Sequence, residues 1–226
     1  MNSETKVLTV EHITIFYKIK RIIYLSTKRI VDILFSLIGL LFLIPISIII
    51  KICYMVTGDF TSIFFIQDRI GKNGKHFKMF KYRTMVINAD EKLKKLLQED
   101  EEARQEYKKY KKLKNDPRIT KVGKFIRKTS IDELPQLINV FIGNMSMIGN
   151  RPYLPREKED MGEYFDDIVK TKPGITGYWQ VNGRSNTTFD GRLTLEQYYS
   201  NHAGIILDLK IFLKTFSVVL LKKGAR

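Results

Sequence analysis

The apolar positions of the chain form one long stretch between Ile30 and Ile52. A straight helix of this length would just span a bilayer core of roughly 30 Å. Pro45 lies inside the stretch, where a proline removes a backbone hydrogen bond and bends a helix. The pattern therefore predicts a membrane helix that bends at Pro45.

Basic residues flank this stretch on both sides, with Lys28 and Arg29 before it and Lys51 and Arg69 after it. A segment that crosses the membrane usually leaves its positive excess on the cytoplasmic side alone. A helix that enters, bends and returns would place both basic flanks against anionic lipid. From the residues alone, a kinked spanning helix and a re-entrant helix are equally open.

Beyond Thr57 the pattern predicts a smaller, more polar domain that mixes strands and helices. Residues 62–67 and 76–82 have the character of two strands, and the turn between them predicts a β-hairpin. Residues 88–115 are dense in Glu, Lys and Leu, which predicts one long exposed helix. The apolar run Ile205–Leu221 predicts a C-terminal helix, for which a buried position and a position at the membrane surface both stay open.

Composition narrows the classes of partner. The chain has 226 residues and a formal net charge of +15, which favours lipid headgroups, nucleic acid or phosphorylated substrates. Cys53 is the only cysteine, so an intrachain disulfide is excluded. The three histidines and Cys53 lack the spacing of a zinc site, and neither a P-loop nor a dinucleotide-binding glycine motif is present.

An acidic pair stands out in residues 127–141. An apolar helix face follows the pair, because apolar residues recur there at helical spacing, namely Leu134, Leu137, Ile138 and Phe141. Asp132 and Glu133 would lie at the start of this helix. Ser130 and Glu133 fit a capping box, but Pro135 would then lose a helical bond, so Asp132 as the cap is the alternative.

Two interpretations of this pair compete. Acidic residues at a helix start are usually caps, and without further context that interpretation is favoured. Alternatively, an ionised carboxylate held there attacks a phosphorus atom. That chemistry needs a divalent cation and basic side chains to neutralise the phosphate oxygens, and Arg127 and Arg151 lie close by in sequence.

An ordered set of short motifs runs from Lys28 to the C-terminus. The set comprises Lys28-Arg29 with Asp32, residues 65–69 (FIQDR), 81–85 (KYRTM), 116–120 (DPRIT), 127–136 (RKTSIDELPQ), Asn150-Arg151-Pro152, 173–177 (PGITG) and Gly183-Arg184. Together these motifs resemble the monotopic bacterial polyprenyl-phosphate phosphoglycosyltransferases, also called bacterial sugar transferases. The chain resembles the minimal form of that family.

The resemblance implies an α+β, mainly helical fold. A re-entrant membrane helix would carry a small cytoplasmic catalytic domain with a short β-hairpin and interfacial helices. The implied division is a basic N-terminal segment at 1–27, the re-entrant helix at 28–56 and the catalytic domain at 57–226. The implied location is the bacterial cell membrane, in contact with anionic lipids, with the catalytic domain on the cytoplasmic face.

The resemblance also implies a reaction. Asp132 would attack the β-phosphate of a UDP-sugar and release UMP, and polyprenyl (undecaprenyl) phosphate would then accept the sugar-1-phosphate. Glu133 would act as the acid/base partner or help Asp132 to hold Mg²⁺. The matching substrate- and phosphate-binding positions are Arg127, Arg151, Lys81, Arg83 and Arg184. A homodimer is compatible with this assignment.

Other interpretations stay open. The family usually has Pro-Arg-Pro where this chain has Asn150-Arg151-Pro152, so the shape of that loop is in question. Arg69 and Arg118 have a simpler interpretation as surface charges. The charge of +15 would suit a membrane-tethered basic nucleic-acid-binding module, although no nucleic-acid motif is present. An inactive scaffold homologue is the third possibility, and the intact acidic pair argues against it.

Overall fold

The computed structural model describes residues 3–183 and 187–220, and helices dominate this part of the chain. The helices are α1 (Ser3–Leu41), α2 (Leu43–Val56), α3 (Ala89–Glu99), α4 (Glu101–Tyr110), α5 (Lys121–Lys128), α6 (Gln136–Ile142), α7 (Lys158–Met161), α8 (Tyr164–Ile168), α9 (Tyr178–Asn182), α10 (Phe189–His202) and α11 (Ile205–Leu220). The strands are β1 (Phe64–Ile70), β2 (His76–Tyr82), β3 (Ser146–Ile148) and β4 (Gly174–Thr176). The prediction of a mainly helical chain with a short β-hairpin is confirmed.

The bend in the apolar stretch lies at Phe42, where α1 and α2 meet at 46°, and not at Pro45. Pro45 lacks the N–H that would bond to the carbonyl of Leu41, so the interruption falls one turn before the proline. Pro45 itself sits in the first turn of α2, where a missing N–H costs nothing. The predicted bend is therefore real, but its predicted position is wrong.

The bent pair α1–α2 carries much of the exposed apolar surface of the described residues. Among the described residues, no single helix is long and apolar enough to cross a membrane, whereas this pair meets the test of length and composition. The side chains at the bend, Leu41, Phe42 and Ile44, are more than half exposed. α1 also continues without a break through residue 28, where the sequence analysis placed a segment boundary.

Polar contacts fasten α1 to the rest of the chain. Asp32 is buried and accepts hydrogen bonds from the Ser146 hydroxyl at 3.0 Å and the Met147 N–H at 2.8 Å. Arg29 donates to the carbonyls of Val140 and Phe141 at the end of α6. These bonds give additional donors to carbonyls of the last turn of α6, where helical N–H donors run out.

Helix α2 packs against the predicted hairpin. Tyr54 is fully buried and its hydroxyl donates to the carbonyl of Arg83, just beyond β2. β1 and β2 pair in antiparallel register from Phe64 opposite Tyr82 to Ile70 opposite His76. The hairpin is confirmed, although β1 begins and ends later than predicted.

The predicted helix at 88–115 is instead two helices, α3 and α4. Asp100 separates them because its backbone is extended and its side chain accepts the Ala103 N–H, which caps α4. The C-terminal helix is confirmed as α11. It buries Ile211 but exposes Ile206 and Leu209, so this helix has both a core face and an exposed apolar face.

A second, parallel pair of strands was not predicted. β3 and β4 place Ser146 opposite Gly174 and Ile148 opposite Thr176. A side chain at Gly174 would lie 2.1 Å from the backbone N of Gly149, so only glycine permits this close approach. The strands are three residues long and lack an alternating pattern long enough to detect.

Candidate active site

The acidic pair lies in a short 3-10 turn, Ile131–Glu133, between α5 and α6. Ser130 precedes the turn with a left-handed backbone (φ 58°), and Pro135 is the residue that caps α6. The predicted capping box is therefore absent, and Asp132 is not the cap of α6. Because neither carboxylate is committed to capping α6, the simple structural interpretation of the pair loses its support.

Glu133 is held by a cation on the neighbouring strand. The Lys81 Nζ donates to Glu133 Oε1 at 2.9 Å, and the Glu133 side chain keeps 33% of its surface exposed. Burial opposes ionisation of Glu133, but Lys81 and a hydrogen bond with Gln136 outweigh it and hold the pKa of Glu133 below its usual value. Glu133 is therefore ionised at neutral pH.

The pKa of Asp132 is shifted in the opposite direction to that of Glu133. Burial and the neighbouring Glu133 charge raise the pKa of Asp132 to about 6, and Lys81 and Arg127 limit the rise. The Asp132 side chain is only half-buried, so part of it is exposed to solvent. Asp132 at pH 7 is thus a mostly ionised, weakly solvated carboxylate, which is the state a nucleophile requires.

Arg151 faces the acidic pair from another segment of the chain. Its charge lowers the pKa of Glu133, and its guanidinium lies over the ring of Trp179 at 5.8 Å. A pocket joins these elements, and its polar lining residues are Arg69, Lys81, Glu133, Gln136, Arg151 and Gln180. The fold thus brings β2, the 3-10 turn and the Arg151 loop together around one cavity.

A third carboxylate lies next to the Arg151 loop. Glu196 on α10 is 1% exposed, and its Oε1 accepts the backbone N–H of Arg151 at 3.1 Å. Burial raises the pKa of Glu196 to about 7. Arg192, one turn earlier, is also buried and stacks on the rings of Phe189 and Trp179.

Comparison with known proteins identifies the family of the chain. The profile of the family described as bacterial sugar transferase matches residues 23–222. The chain belongs to the bacterial sugar transferase family. The matched range covers most of the chain and includes the acidic pair, Lys81 and Arg151.

Individual relatives differ in how much of their length is matched. An undecaprenyl-phosphate galactose phosphotransferase from Salmonella typhimurium is 44% identical over 198 residues, which is 88% of this chain and 41% of that protein. A UDP-glucose:undecaprenyl-phosphate glucose-1-phosphate transferase from Klebsiella pneumoniae is 34% identical over 88% of this chain and 41% of its own length. The exopolysaccharide production protein ExoY from Sinorhizobium fredii is 36% identical and is matched over 88% of both chains. The chain thus spans about two fifths of the first two relatives and most of the third.

Of the other predicted site residues of this bacterial sugar transferase, Arg127 and Arg83 are not among the described residues that line the pocket. Arg127 is exposed at the end of α5 and is close enough to Asp132 to lower its pKa. Arg83 forms an ion pair with Asp59 at 2.9 Å and lies over the Tyr54 ring, so its described contacts tie β2 to α2. Arg184 lies outside the described residues. Substrate binding by Arg83 and Arg184 stays a prediction.

Asn150, the departure from Pro-Arg-Pro, has a defined role in the loop. Its side-chain amide donates to the Ser200 hydroxyl at 2.7 Å and to the Ile168 carbonyl at 3.2 Å. These bonds tie the start of the Arg151 loop to α10 and to the end of α8. They replace the stiffness of a proline ring with cross-links to the domain.

The described residues offer few carboxylates to the predicted Mg²⁺ at this site. Within residues 3–183 and 187–220, no group of three or more His, Cys, Asp and Glu side chains could hold a metal ion. Asp132 and Glu133 alone fit a Mg²⁺ ion that takes its other oxygens from substrate phosphates and water, which is common for this ion.

Two buried charges at this site, Arg69 and Glu196, have no clear signature in the sequence. Arg69 was open to interpretation as a surface charge, but it is 7% exposed and lines the pocket; Arg118 is equally buried and pairs with Asp116. Glu196 was not singled out because Arg192 and Glu196, four residues apart, resemble an ordinary exposed helix pair. A local signal was that the apolar Leu193 lies three residues before Glu196, on the same helix face.

Proposed function

We propose that this protein transfers a sugar-1-phosphate from a UDP-sugar to polyprenyl (undecaprenyl) phosphate and releases UMP. The observation that carries the proposal is the half-buried Asp132, whose neighbour in sequence, the ionised Glu133, lines a pocket with Lys81 and Arg151. Relatives named as undecaprenyl-phosphate sugar phosphotransferases support the same reaction class. The product would start the assembly of a polysaccharide or glycoconjugate.

The proposed reaction has two substitutions at one phosphorus atom. A carboxylate oxygen of Asp132 forms a bond to the β-phosphorus of the UDP-sugar, and the bond from that phosphorus to the bridging oxygen breaks. UMP leaves with the bridging oxygen. An oxygen of the polyprenyl phosphate then attacks the same phosphorus, which frees the carboxylate and yields a polyprenyl diphosphate sugar.

The surrounding side chains would make these attacks tolerable. A carboxylate that approaches a diphosphate is repelled unless cations neutralise the phosphate oxygens. Lys81 and Arg151 already supply positive charge on two sides of the pocket, and Lys81 also keeps Glu133 ionised. Asp132 and Glu133 would hold Mg²⁺, which supplies further charge neutralisation when bound.

We propose that the bent pair α1–α2 is re-entrant, so that the catalytic domain faces the cytoplasm against anionic lipids. The pair exposes its apolar side chains at the bend, whereas Asp32 in α1 and Tyr54 in α2 both contact the same domain. Both basic flanks would then lie at one membrane surface.

Labelling in intact cells tests this topology. Lys18→Cys and Lys75→Cys are placed separately in a Cys53→Ser background, because the native Cys53 is exposed. We expect both sites to react with a membrane-impermeant maleimide only after the cells are permeabilised. Reaction of just one site in intact cells would show a spanning helix instead.

A donor panel tests the function. Purified full-length protein in detergent is given Mg²⁺, polyprenyl phosphate and each of several UDP-sugars, and UMP and the lipid product are measured. We expect one donor class to give both products in equal amounts. Neither product with any donor, together with salt-sensitive DNA or RNA binding that Asp132→Asn does not alter, would favour the nucleic-acid alternative.

A further inference from the structure

The pocket beside the acidic pair holds more positive than negative charge. Its lining includes the cations Arg69, Lys81 and Arg151 but only one carboxylate, that of Glu133. Because Lys81 and Glu133 form an ion pair, their charges cancel. The guanidinium groups of Arg69 and Arg151 are left without a carboxylate in the pocket to balance them.

Arg69 is the less expected of these two cations. It lies on β1, with only 7% of its surface exposed. Among the described residues, Arg69 forms no ion pair. The nearby Glu157 carboxylate does not pair with Arg69, and it accepts the N–H of Leu154 at 2.7 Å. Burial and the Arg151 charge lower the pKa of Arg69 to about 9, so the group is still charged at pH 7.

The guanidinium of Arg69 is held in a fixed orientation. Nη1 donates to the Pro152 carbonyl at 2.9 Å and Nη2 donates to the Gln67 side chain at 2.6 Å. Both acceptors are neutral, and Nε has no partner. The contacts therefore orient the group without pairing its charge with a carboxylate.

A buried charge without a partner destabilises a fold by several kcal/mol, so such groups usually have an anionic ligand or counter-ion. Arg69 and Arg151 together match the charge of one phosphate dianion or of a diphosphate. Guanidinium groups also suit phosphate because their planar N–H groups bind two oxygens at once.

We propose that Arg69 is a substrate-binding residue that, together with Arg151, binds a phosphate group of a substrate. The inference rests on the proposed function, in which both substrates carry phosphate. The group could come from the nucleotide sugar or from the lipid phosphate, and binding experiments separate these two sources.

The experiment compares full-length wild-type protein with Arg69→Gln and Arg69→Lys in detergent. Arg156→Gln is the matched control, because Arg156 is an exposed arginine outside the pocket. The dissociation constants of UDP and of undecaprenyl phosphate are measured separately, and thermal unfolding reports whether each variant is folded.

We expect Arg69→Gln to weaken the binding of one of the two ligands by roughly 10- to 100-fold, the range for a lost charged hydrogen bond. The affected ligand identifies the source of the phosphate. Arg69→Lys keeps the charge but loses the planar fork, so a smaller loss is expected. Arg69→Gln should unfold at the same temperature as wild type or higher, because an unbalanced buried charge is removed.

Unchanged affinity for both ligands in a folded Arg69→Gln protein would overturn the inference. If that variant fails to fold, unchanged affinities in Arg69→Lys would overturn it equally. If wild-type protein catalyses the transfer but the Arg69 variants bind UDP and undecaprenyl phosphate with wild-type affinity, only this inference is contradicted. Wild-type protein that binds neither ligand contradicts both the inference and the proposed function.

Discussion

Asp132 and Glu196 are two carboxyl groups with the same electrostatic signature in different surroundings. Burial raises the pKa of Asp132 to about 6 and that of Glu196 to about 7. Asp132 is only half-buried in a short turn, whereas Glu196 is 1% exposed and accepts the backbone N–H of Arg151.

The difference shows that a perturbed pKa alone does not identify a reacting group. Perturbed groups gather at functional sites, but structural networks perturb them as well. Exposure separates the two groups: the Asp132 side chain is partly exposed to solvent, whereas Glu196 is buried and contacts the loop that carries Arg151. We therefore expect substitutions at the two positions to affect different observables.

The largest effect is expected for Asp132→Asn. Asparagine keeps the shape but lacks the anionic oxygen, so turnover should fall by roughly 10⁴-fold or more, the scale for loss of a nucleophile. UMP release in the presence of UDP-sugar, polyprenyl phosphate and Mg²⁺ measures it. Asp166→Asn, an exposed aspartate on α8, is the control and should behave as wild type. Comparable turnover in the two variants would remove Asp132 from the mechanism.

A smaller loss, of about 10²-fold, is expected for Lys81→Met, because one stabilising cation is removed from the reacting phosphate. In wild type the rate should decline below about pH 6 as Asp132 is protonated. Since Lys81 lowers the pKa of both carboxyls, its loss should shift this decline to higher pH.

Lys78→Met provides the control for this shift. Lys78 lies on the same strand but pairs with Asp68 at an exposed site, so its pH–rate profile should match that of wild type. An unshifted profile in Lys81→Met would mean that Lys81 does not set the ionisation of the acidic pair.

The smallest effect on turnover is expected for Glu196→Gln. Glutamine can still accept the Arg151 N–H, so we expect the rate to change by less than about tenfold, as for a neutral hydrogen bond that is retained. Stability should respond more clearly. The folded-state pKa of Glu196 lies above its ordinary value of 4.5, so the folded state binds the extra proton and loses stability as pH rises from about 4.5 to about 7.

The free energy of unfolding should fall by on the order of 3 kcal/mol over this pH range, for a pKa shift of this size. In Glu196→Gln this pH-dependent fall should be absent. Unfolding midpoints of wild type and variant, measured in parallel between pH 5 and pH 8, provide the comparison. A pH dependence that is the same in both proteins would show that Glu196 is not the titrating group.

Much of this arrangement was predictable from sequence, and the exceptions have physical reasons. The hairpin and α11 follow from local periodicity, and the acidic pair and Arg151 from motifs. The break at Asp100 was missed because a single aspartate inside a helical composition rarely ends a helix. Buried Arg69 and Glu196 were missed because burial of a charge depends on distant segments, which local pattern does not reveal.

The central claim is that Asp132 becomes covalently bonded to phosphorus. Full-length protein is incubated with a competent UDP-sugar and no lipid acceptor, and intact-mass and peptide mass spectrometry then follow. We predict a sugar-phosphoryl adduct on the peptide that contains Asp132, absent in Asp132→Asn and lost when polyprenyl phosphate is added. Turnover without any adduct, or an adduct on another residue, would contradict the account.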